Sequence, residues 1–293
     1  MIYEVSHTTQ VEYKAQVRLA RFNLRLQPVP WPGQAVRDFR LSVDPAPASM
    51  LTRQVGYPVN VTRAVIDEPL HELTIKSSFT VNVGDEMFDM PPADLLVADV
   101  AQRAMALQDV GGTSPCSYLY NSPLVPGSAE IGRWAGDILG RDVPALKSAL
   151  TLARRIQQEF AYDAEATETD TPVAQAFAMR RGVCQDFTHV LISALRWFGL
   201  PAAYASGYLR TLPPPGQPRL VGVDAMHAWA MLWCGPQRGW VGIDPTNGCV
   251  TGSDHIFVAL GRDYSDVAPI DGVFIGEGTQ RLTTSVDVIP LEA

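Results

Sequence analysis

The chain has 293 residues, of which 46% are hydrophobic and 18% charged, a balance typical of soluble globular proteins. Its formal net charge of −8 includes no run of basic residues, which argues against a nucleic-acid partner because phosphates are bound by clustered lysine and arginine. No apolar run approaches the roughly 20 residues that span a bilayer, and no signal peptide is recognisable, so we expect no membrane partner.

The first hundred residues alternate polar and apolar side chains with the period of β-strands. The pattern begins in "YEVSHTTQVEY" and continues in "DFRLSVDP", "YPVNVTRAVI" and "ELTIKSSFTVNV", with proline and glycine turns between them. Regularly spaced short strands predict a β-sandwich-like N-terminal domain, to which we assign residues 1–95. We interpret His7 and His71 as ordinary strand residues.

Helical periodicity replaces the β pattern from about residue 92, in "PADLLVADVAQRAMAL", "ALKSALTLARRIQQEF" and "PVAQAFAMRR". A further helix is predicted over residues 185–198, with Gly199 as its C-cap. Strands then follow in "AAYASGYLR", "MHAWAMLWC" and "GWVGID", and "LPPPGQP" at 212–218 is predicted as a surface loop near the site. Helices followed by antiparallel strands indicate an α+β core, to which we assign residues 96–293.

Cys184 lies in "RRGVCQDFTHVLISALRW", between a glycine turn and this predicted helix. A thiol in the first helical turn meets unpaired backbone N–H groups and the positive end of the helix dipole, and both favour the thiolate. The position therefore suits a nucleophile. The four cysteines of the chain show no close-paired spacing, which argues against a disulfide framework and predicts a cytoplasmic location.

A cysteine nucleophile needs a base, and histidine is the usual one. His189 is nearest in sequence. Five residues along a helix, however, place it about 140° around the axis from Cys184. We therefore interpret His189 as a structural residue of the helix.

His227, in "DAMHAWAMLWC", is a better candidate because of strand register. If "GPQR" closes a hairpin that pairs Cys234 with Gly239, Asp244 lies opposite Trp229 and on the same sheet face as His227. His227 and Asp244 are then diagonal neighbours within side-chain reach. Taken singly, a strand histidine and a turn-forming aspartate in "DPTNG" are the simpler interpretations. Together with a cysteine at the start of a helix, however, the histidine and the aspartate indicate a catalytic triad.

Three segments resemble the core motifs of the transglutaminase-like superfamily: "RRGVCQDFTHVLISALRWFGLPAAYASGYL", "DAMHAWAMLW" and "GWVGIDPTNG". They are most similar to a bacterial group labelled as transglutaminase-like cysteine proteases, whose N-terminal β-domain and C-terminal strands resemble "SHTTQVEY" and "VALGRDYSDVAPIDGVFIGEG". The resemblance implies a papain-related α+β core with a helix-borne Cys184 as nucleophile, His227 as base and Asp244 as the orienting residue. No calcium-site motif is visible, so no metal or other cofactor is expected.

Five further residues are candidates for contacting the oxyanion or the substrate. Tyr162 could donate its hydroxyl to the oxyanion, where animal transglutaminases have a tryptophan upstream of the cysteine. Asp186 fits an anchor of the helix as well as a substrate contact. The other candidates are Gln185, Tyr208 and Trp229.

The predicted function is cysteine-dependent acyl transfer from a peptide, isopeptide or carboxamide bond of a peptide or protein substrate. We favour hydrolysis over amine transfer, because transfer requires a dedicated amine site that excludes water. One alternative is a non-catalytic peptide-binding or assembly module, which an intact Cys–His–Asp set disfavours. Another is a metal site of Cys184, Cys234 and His227, whose spacing and strand parity are unsuitable. The oligomeric state is left open.

Overall fold

The computed structural model describes residues 1–84, 94–211 and 225–291. The predicted loop at 212–218 and the first two residues of the helical segment predicted from residue 92 lie outside these ranges. The strands are β1 (Ile2–Leu24), β2 (Gln34–Asp44), β3 (Ser49–Gln54), β4 (Asn60–Ile66), β5 (Leu70–Val83), β6 (Ala161–Tyr162), β7 (Arg181–Gly182), β8 (Ala202–Leu209), β9 (Ala225–Trp233), β10 (Trp240–Asp244), β11 (Cys249–Val250), β12 (His255–Gly261), β13 (Ile270–Gly276) and β14 (Gln280–Leu291). The helices are α1 (Val97–Ala106), α2 (Ala129–Ala135), α3 (Ala145–Glu159), α4 (Val173–Met179), α5 (Cys184–Trp197) and α6 (Tyr264–Val267).

The larger sheet is antiparallel, with strand order β2-β5-β1-β4-β3. Its long central strand β1 alternates buried and exposed residues along much of its length, as the period-two pattern of the sequence predicts. A separate apolar cluster is formed by residues of this sheet and by Leu26, which directly follows β1. The members that β1 contributes lie between Val11 and Leu24, so the cluster covers the middle and the second half of this strand.

The two C-terminal strands join this same sheet. β14 pairs with the first half of β1 and β13 with its second half, both antiparallel. The sequence pattern assigns the residues of β13 and β14 to the core domain over 96–293. Their hydrogen bonds instead place both strands in the sheet of the N-terminal strands. The physical reason is that β5 and β4 cover only one edge of β1, and the returning chain satisfies the backbone groups of the other edge.

The second sheet is also antiparallel, with strand order β11-β10-β9-β8-β12. Helix α5 packs on β9 and β8, with α2, α3 and α4 around it. The helix is buried on nearly every face, which is typical of a central helix in a core. The α+β class predicted from the sequence is therefore confirmed. Among the helices of the described ranges, none combines the length and the apolar character needed to cross a bilayer.

The C-terminal end of α5 is fixed in position. At its C-terminal end Gly199 adopts a φ of 75°, and the Leu200 N–H returns to the Leu195 carbonyl, as the predicted glycine C-cap requires. The buried Arg196 guanidinium donates to the carbonyl oxygen of Ala202, among other acceptors. These contacts fix the C-terminal end of the helix against β8, at the opposite end from Cys184.

The two sheets share one apolar core. Tyr3 and Val5 of β1 belong to the same buried cluster as the α5 residues, and the rings of Phe79 and Tyr208 lie 6.0 Å apart across the boundary. His7 of β1 also hydrogen-bonds the Tyr208 hydroxyl (3.0 Å). The strand-rich N-terminal region is thus packed directly against the sheet that carries His227.

Candidate active site

Cys184 is the first residue of α5 and is partly exposed. The preceding Gly182 has a φ of 152°, and a Cβ at this position would collide with the Asp186 carboxylate. The absence of a side chain at Gly182 lets Asp186 fold back over the start of the helix, where Oδ2 accepts the Val183 N–H (2.8 Å). This contact satisfies one unpaired backbone donor and fixes the turn that presents the thiol.

Asp186 and Gln185 both hold the chain segment that precedes α4. The Asp186 carboxylate also accepts the Thr167 hydroxyl (2.7 Å), and the Gln185 side-chain amide donates to the Thr169 carbonyl (2.8 Å). Both side chains are buried. Asp186 therefore anchors the start of α5, which is one of the two roles predicted for it. The Gln185 side chain, predicted as a substrate contact, hydrogen-bonds a backbone carbonyl of the protein instead.

The strand register that placed His227 beside Asp244 is confirmed. Strands β9 and β10 pair Trp233 with Trp240, and the Cys234 N–H donates to the Gly239 carbonyl (2.8 Å). In this register the His227 Nε2 atom lies 2.8 Å from Asp244 Oδ2. His227 and Asp244, predicted as diagonal neighbours, are therefore joined by a direct hydrogen bond.

The His227 imidazole also lies close enough to Cys184 to interact with its thiol group. Because Nε2 faces Asp244, Nδ1 is the ring nitrogen left for that interaction. Burial disfavours the imidazolium, but hydrogen bonds and charge interactions with Asp244 and the Cys184 thiolate outweigh burial and raise the pKa of His227 to about 10. At neutral pH the site therefore favours the protonated form of His227.

Asp244 is fully buried and accepts hydrogen bonds on both oxygens. Oδ1 accepts the backbone N–H groups of Thr246 (2.8 Å) and Asn247 (3.1 Å), whereas Oδ2 accepts the Asn247 side-chain amide (2.6 Å) in addition to His227. Burial would raise the pKa of this carboxyl, but its hydrogen bonds and charged neighbours hold the pKa well below its usual range. Asp244 thus both closes the "DPTNG" turn and contacts the imidazole.

A second histidine, His255, was not among the predicted site residues and contacts the same carboxylate. His255 Nε2 lies 3.1 Å from Asp244 Oδ2, and the Asn247 amide completes the group. His255 opens β12, which is separated from β10 by β9 and β8. The register of neighbouring strands does not predict this contact, because β10 and β12 are not neighbours. The signal for Asn247 was present in the "DPTNG" turn, where an amide follows the aspartate by three residues.

The donor atoms of His227, Asp244 and His255 lie within 4.8 Å of one another, a spacing that could suit a metal ion. The hydrogen bonds do not fit metal binding. The Gly252 N–H donates to His255 Nδ1 (3.0 Å), so in the neutral ring Nε2 carries the proton and cannot act as a ligand. In the alternative metal site, Cys234 is also unsuitable, because its thiol faces the Leu232 carbonyl (3.6 Å).

The three aromatic candidates have different surroundings. Tyr162 is 61% exposed on β6, beside β7, and the pKa of its hydroxyl is raised by partial burial and by the charge of nearby Cys184. Tyr208 and Trp229 were expected to contact substrate, but they are 0% and 2% exposed. Both side chains are buried because they pack inside the protein. Tyr208 packs against the first sheet, and Trp229 packs edge-to-face on His255 (5.3 Å between centroids).

The remaining histidines serve structure, as predicted. His189 is buried, its Nε2 accepts the Tyr264 N–H (3.2 Å), and burial lowers its pKa to about 4. Burial likewise lowers the pKa of His7 to about 4, and His7 bonds Tyr208. His71 is exposed on β5.

Comparisons with known proteins agree with this architecture. Residues 3–82 match the family model of the bacterial transglutaminase-like N-terminal region, and residues 132–245 match that of the transglutaminase-like superfamily. An uncharacterized protein of Mycobacterium tuberculosis is 35% identical over 297 residues, covering 99% of this chain and 93% of that protein. One from Mycobacterium leprae is 30% identical over 293 residues, covering 98% of each. The crystal structure of a "Putative Cysteine Protease" from Cytophaga hutchinsonii has a similar fold (TM-score 0.73, 19% identity), covering 100% of this chain and 91% of that one.

Proposed function

The chain belongs to the transglutaminase-like superfamily of cysteine enzymes, and on that premise we propose that it cleaves peptide, isopeptide or carboxamide bonds through a Cys184–His227–Asp244 triad. One observation carries the proposal. The Cys184 thiol stands at the start of a buried helix beside the His227 imidazole, which is hydrogen-bonded to the fully buried Asp244 carboxylate. A nucleophile, a base and an orienting group in that order are what acyl transfer by a thiol requires.

The reaction starts when the Cys184 thiolate attacks the substrate carbonyl carbon. The oxyanion that forms meets the first backbone N–H groups of α5, which have no intrahelical acceptor, with the exposed Tyr162 hydroxyl as a further donor. The C–N bond then breaks as the His227 imidazolium donates its proton to the leaving amine, and a thioester remains on Cys184. A water molecule, deprotonated by His227, attacks the thioester and releases the acid and the thiolate. Asp244 keeps the imidazole oriented throughout.

Water is the proposed acceptor of the acyl group. Cys184 is partly exposed and Tyr162 beside it is largely exposed, so solvent reaches the position of the thioester. Transfer to an amine needs a site that excludes water and binds the amine instead. The surroundings of the thiol therefore favour a hydrolase that acts on peptide or protein substrates.

Alkylation tests the activated nucleophile without a known substrate. At about pH 6, iodoacetamide should modify Cys184 first, because the neighbouring imidazolium and the helix start favour its thiolate. Burial raises the pKa of Cys234 to about 12 and that of Cys249 to about 11, so these thiols should react far more slowly. Peptide mass spectrometry of the alkylated native protein measures the rate at each cysteine.

The His227→Ala substitution should slow this labelling, whereas His71→Ala, which removes an exposed histidine of the first sheet, should not. The pH profile of each rate separates ionisation from access. Should Cys184 react only at alkaline pH and independently of His227, the nucleophile would not be activated. The non-catalytic peptide-binding module would then be the better description.

An amine competition test distinguishes hydrolysis from transfer. Peptide and isopeptide libraries incubated with wild type and with Cys184→Ala, compared by mass spectrometry, identify a substrate. With that substrate, a millimolar primary amine should leave the rate of product release nearly unchanged and yield little amide product. Dominant incorporation of the amine, seen as a mass adduct on the substrate, would instead make the protein an acyltransferase.

A further inference from the structure

His255 has a defined tautomer. Its Nδ1 atom accepts the Gly252 backbone N–H (3.0 Å), and a backbone N–H can only donate. In the neutral ring, one nitrogen accepts and the other carries the proton. His255 Nε2 is therefore the protonated nitrogen, and at 3.1 Å from Asp244 Oδ2 it donates to the carboxylate.

The ring is held in this position by Trp229, which shares a sheet face with His227. Trp229 packs edge-to-face on His255, and the Trp229 ring lies over Gly207 of β8. A Cβ at Gly207 would lie 2.5 Å from Trp229 Cη2 and would also collide with the Ile256 carbonyl oxygen. The glycine therefore makes room for the indole that supports His255. His255 itself is buried, so its rotation is restricted on both sides.

We propose that His255 is a positioning residue, a neutral donor that fixes the Asp244 carboxylate for its contact with His227. The proposal rests on the catalytic role proposed for Cys184, His227 and Asp244. His227 and His255 share the same carboxylate oxygen, at 2.8 and 3.1 Å, and their rings lie 6.1 Å apart. A second cation at that distance would oppose the His227 imidazolium. A neutral donor adds a hydrogen bond to Asp244 without neutralising the negative charge of the carboxylate, which continues to stabilise the His227 imidazolium.

Kinetics of two substitutions test the role. His255→Leu removes the donor at similar volume, and we expect kcat to fall about 10- to 100-fold with KM little changed, because the lost bond is one to a charged group. His255→Gln places an amide N–H near the position of Nε2 and should recover most of kcat. His71→Leu serves as the matched control, and thermal unfolding reports whether each variant is folded. Wild-type kcat in folded His255→Leu, or a Gln variant as slow as the Leu variant, overturns the proposal.

Imidazole ¹⁵N–¹H NMR tests the tautomer in the unmodified protein and so does not depend on either variant folding. Signals are assigned with single histidine substitutions. The expected result is a His255 ring with its proton on Nε2 and none on Nδ1, and a ring protonated at Nδ1 overturns the proposal. Failure of the catalytic proposal would look different, because a folded Cys184→Ala protein would then keep its activity whatever the His255 tautomer is.

Discussion

The Cys184→Ala substitution should lower kcat/KM for a peptide substrate by about 10⁴-fold or more, and His227→Ala should have an effect of similar size, because a triad acts as a unit. Alanine at 184 removes the atom that bonds to the acyl group. Alanine at 227 removes the group that holds the thiolate and protonates the leaving amine. Because His227 interacts with both Cys184 and Asp244, the double substitution should cost little more than either one alone.

Folding must be separated from chemistry in this experiment. Cys184 is partly exposed, so shortening it to alanine creates at most a small cavity, and thermal unfolding should change little. Cys116→Ala is a matched control, since Cys116 is also partly exposed and lies before α2, outside the triad. If folded Cys184→Ala turned over substrate at the wild-type rate, the assignment of the nucleophile would fail, and with it the whole catalytic proposal.

The contact between His227 and Asp244 could be predicted because it depends on local geometry. One short hairpin fixes the register of β9 and β10, and the two-residue period then determines which side chains share a face. Cys184 was predictable for a similar reason, since Gly182 before it and the periodicity after it mark the start of a helix. Local rules of this kind act within about twenty residues of sequence.

The features that were missed depend on distant segments. His255 contacts Asp244 across two intervening strands, and no pairing rule connects β12 with β10. Trp229 was expected in the cleft, but its face of the sheet is covered by the segment after β1, where Trp31 stacks on Phe257 (4.1 Å between centroids). Alternation predicts which side chains share a face, whereas only the tertiary structure decides which part of that face is covered.

The Asp244→Asn substitution should reduce kcat about 10²- to 10⁴-fold while leaving more residual activity than Cys184→Ala, because it spares the nucleophile. The carboxylate accepts two backbone N–H groups on Oδ1 and three side-chain donors on Oδ2. An asparagine has only one oxygen. Backbone donors cannot change their protonation, so the oxygen should stay with them and the new amide nitrogen should face His227. The His227 Nε2 atom must then accept, which moves the ring proton to Nδ1, where it opposes proton transfer from the thiol.

The same substitution should shift the pH dependence in a defined direction. The pKa of His227, raised to about 10 by its two anionic neighbours, keeps the imidazolium protonated at neutral pH, and activity is lost as the pH rises through that value. Without the Asp244 charge the pKa of His227 falls, so the alkaline limit of activity should move to lower pH. Asp137→Asn, at an exposed carboxylate 3.6 Å from Arg155, controls for the loss of one negative charge. An unchanged kcat with an unchanged alkaline limit would reduce Asp244 to a turn-forming residue, and His255 would then have no catalytic carboxylate to position.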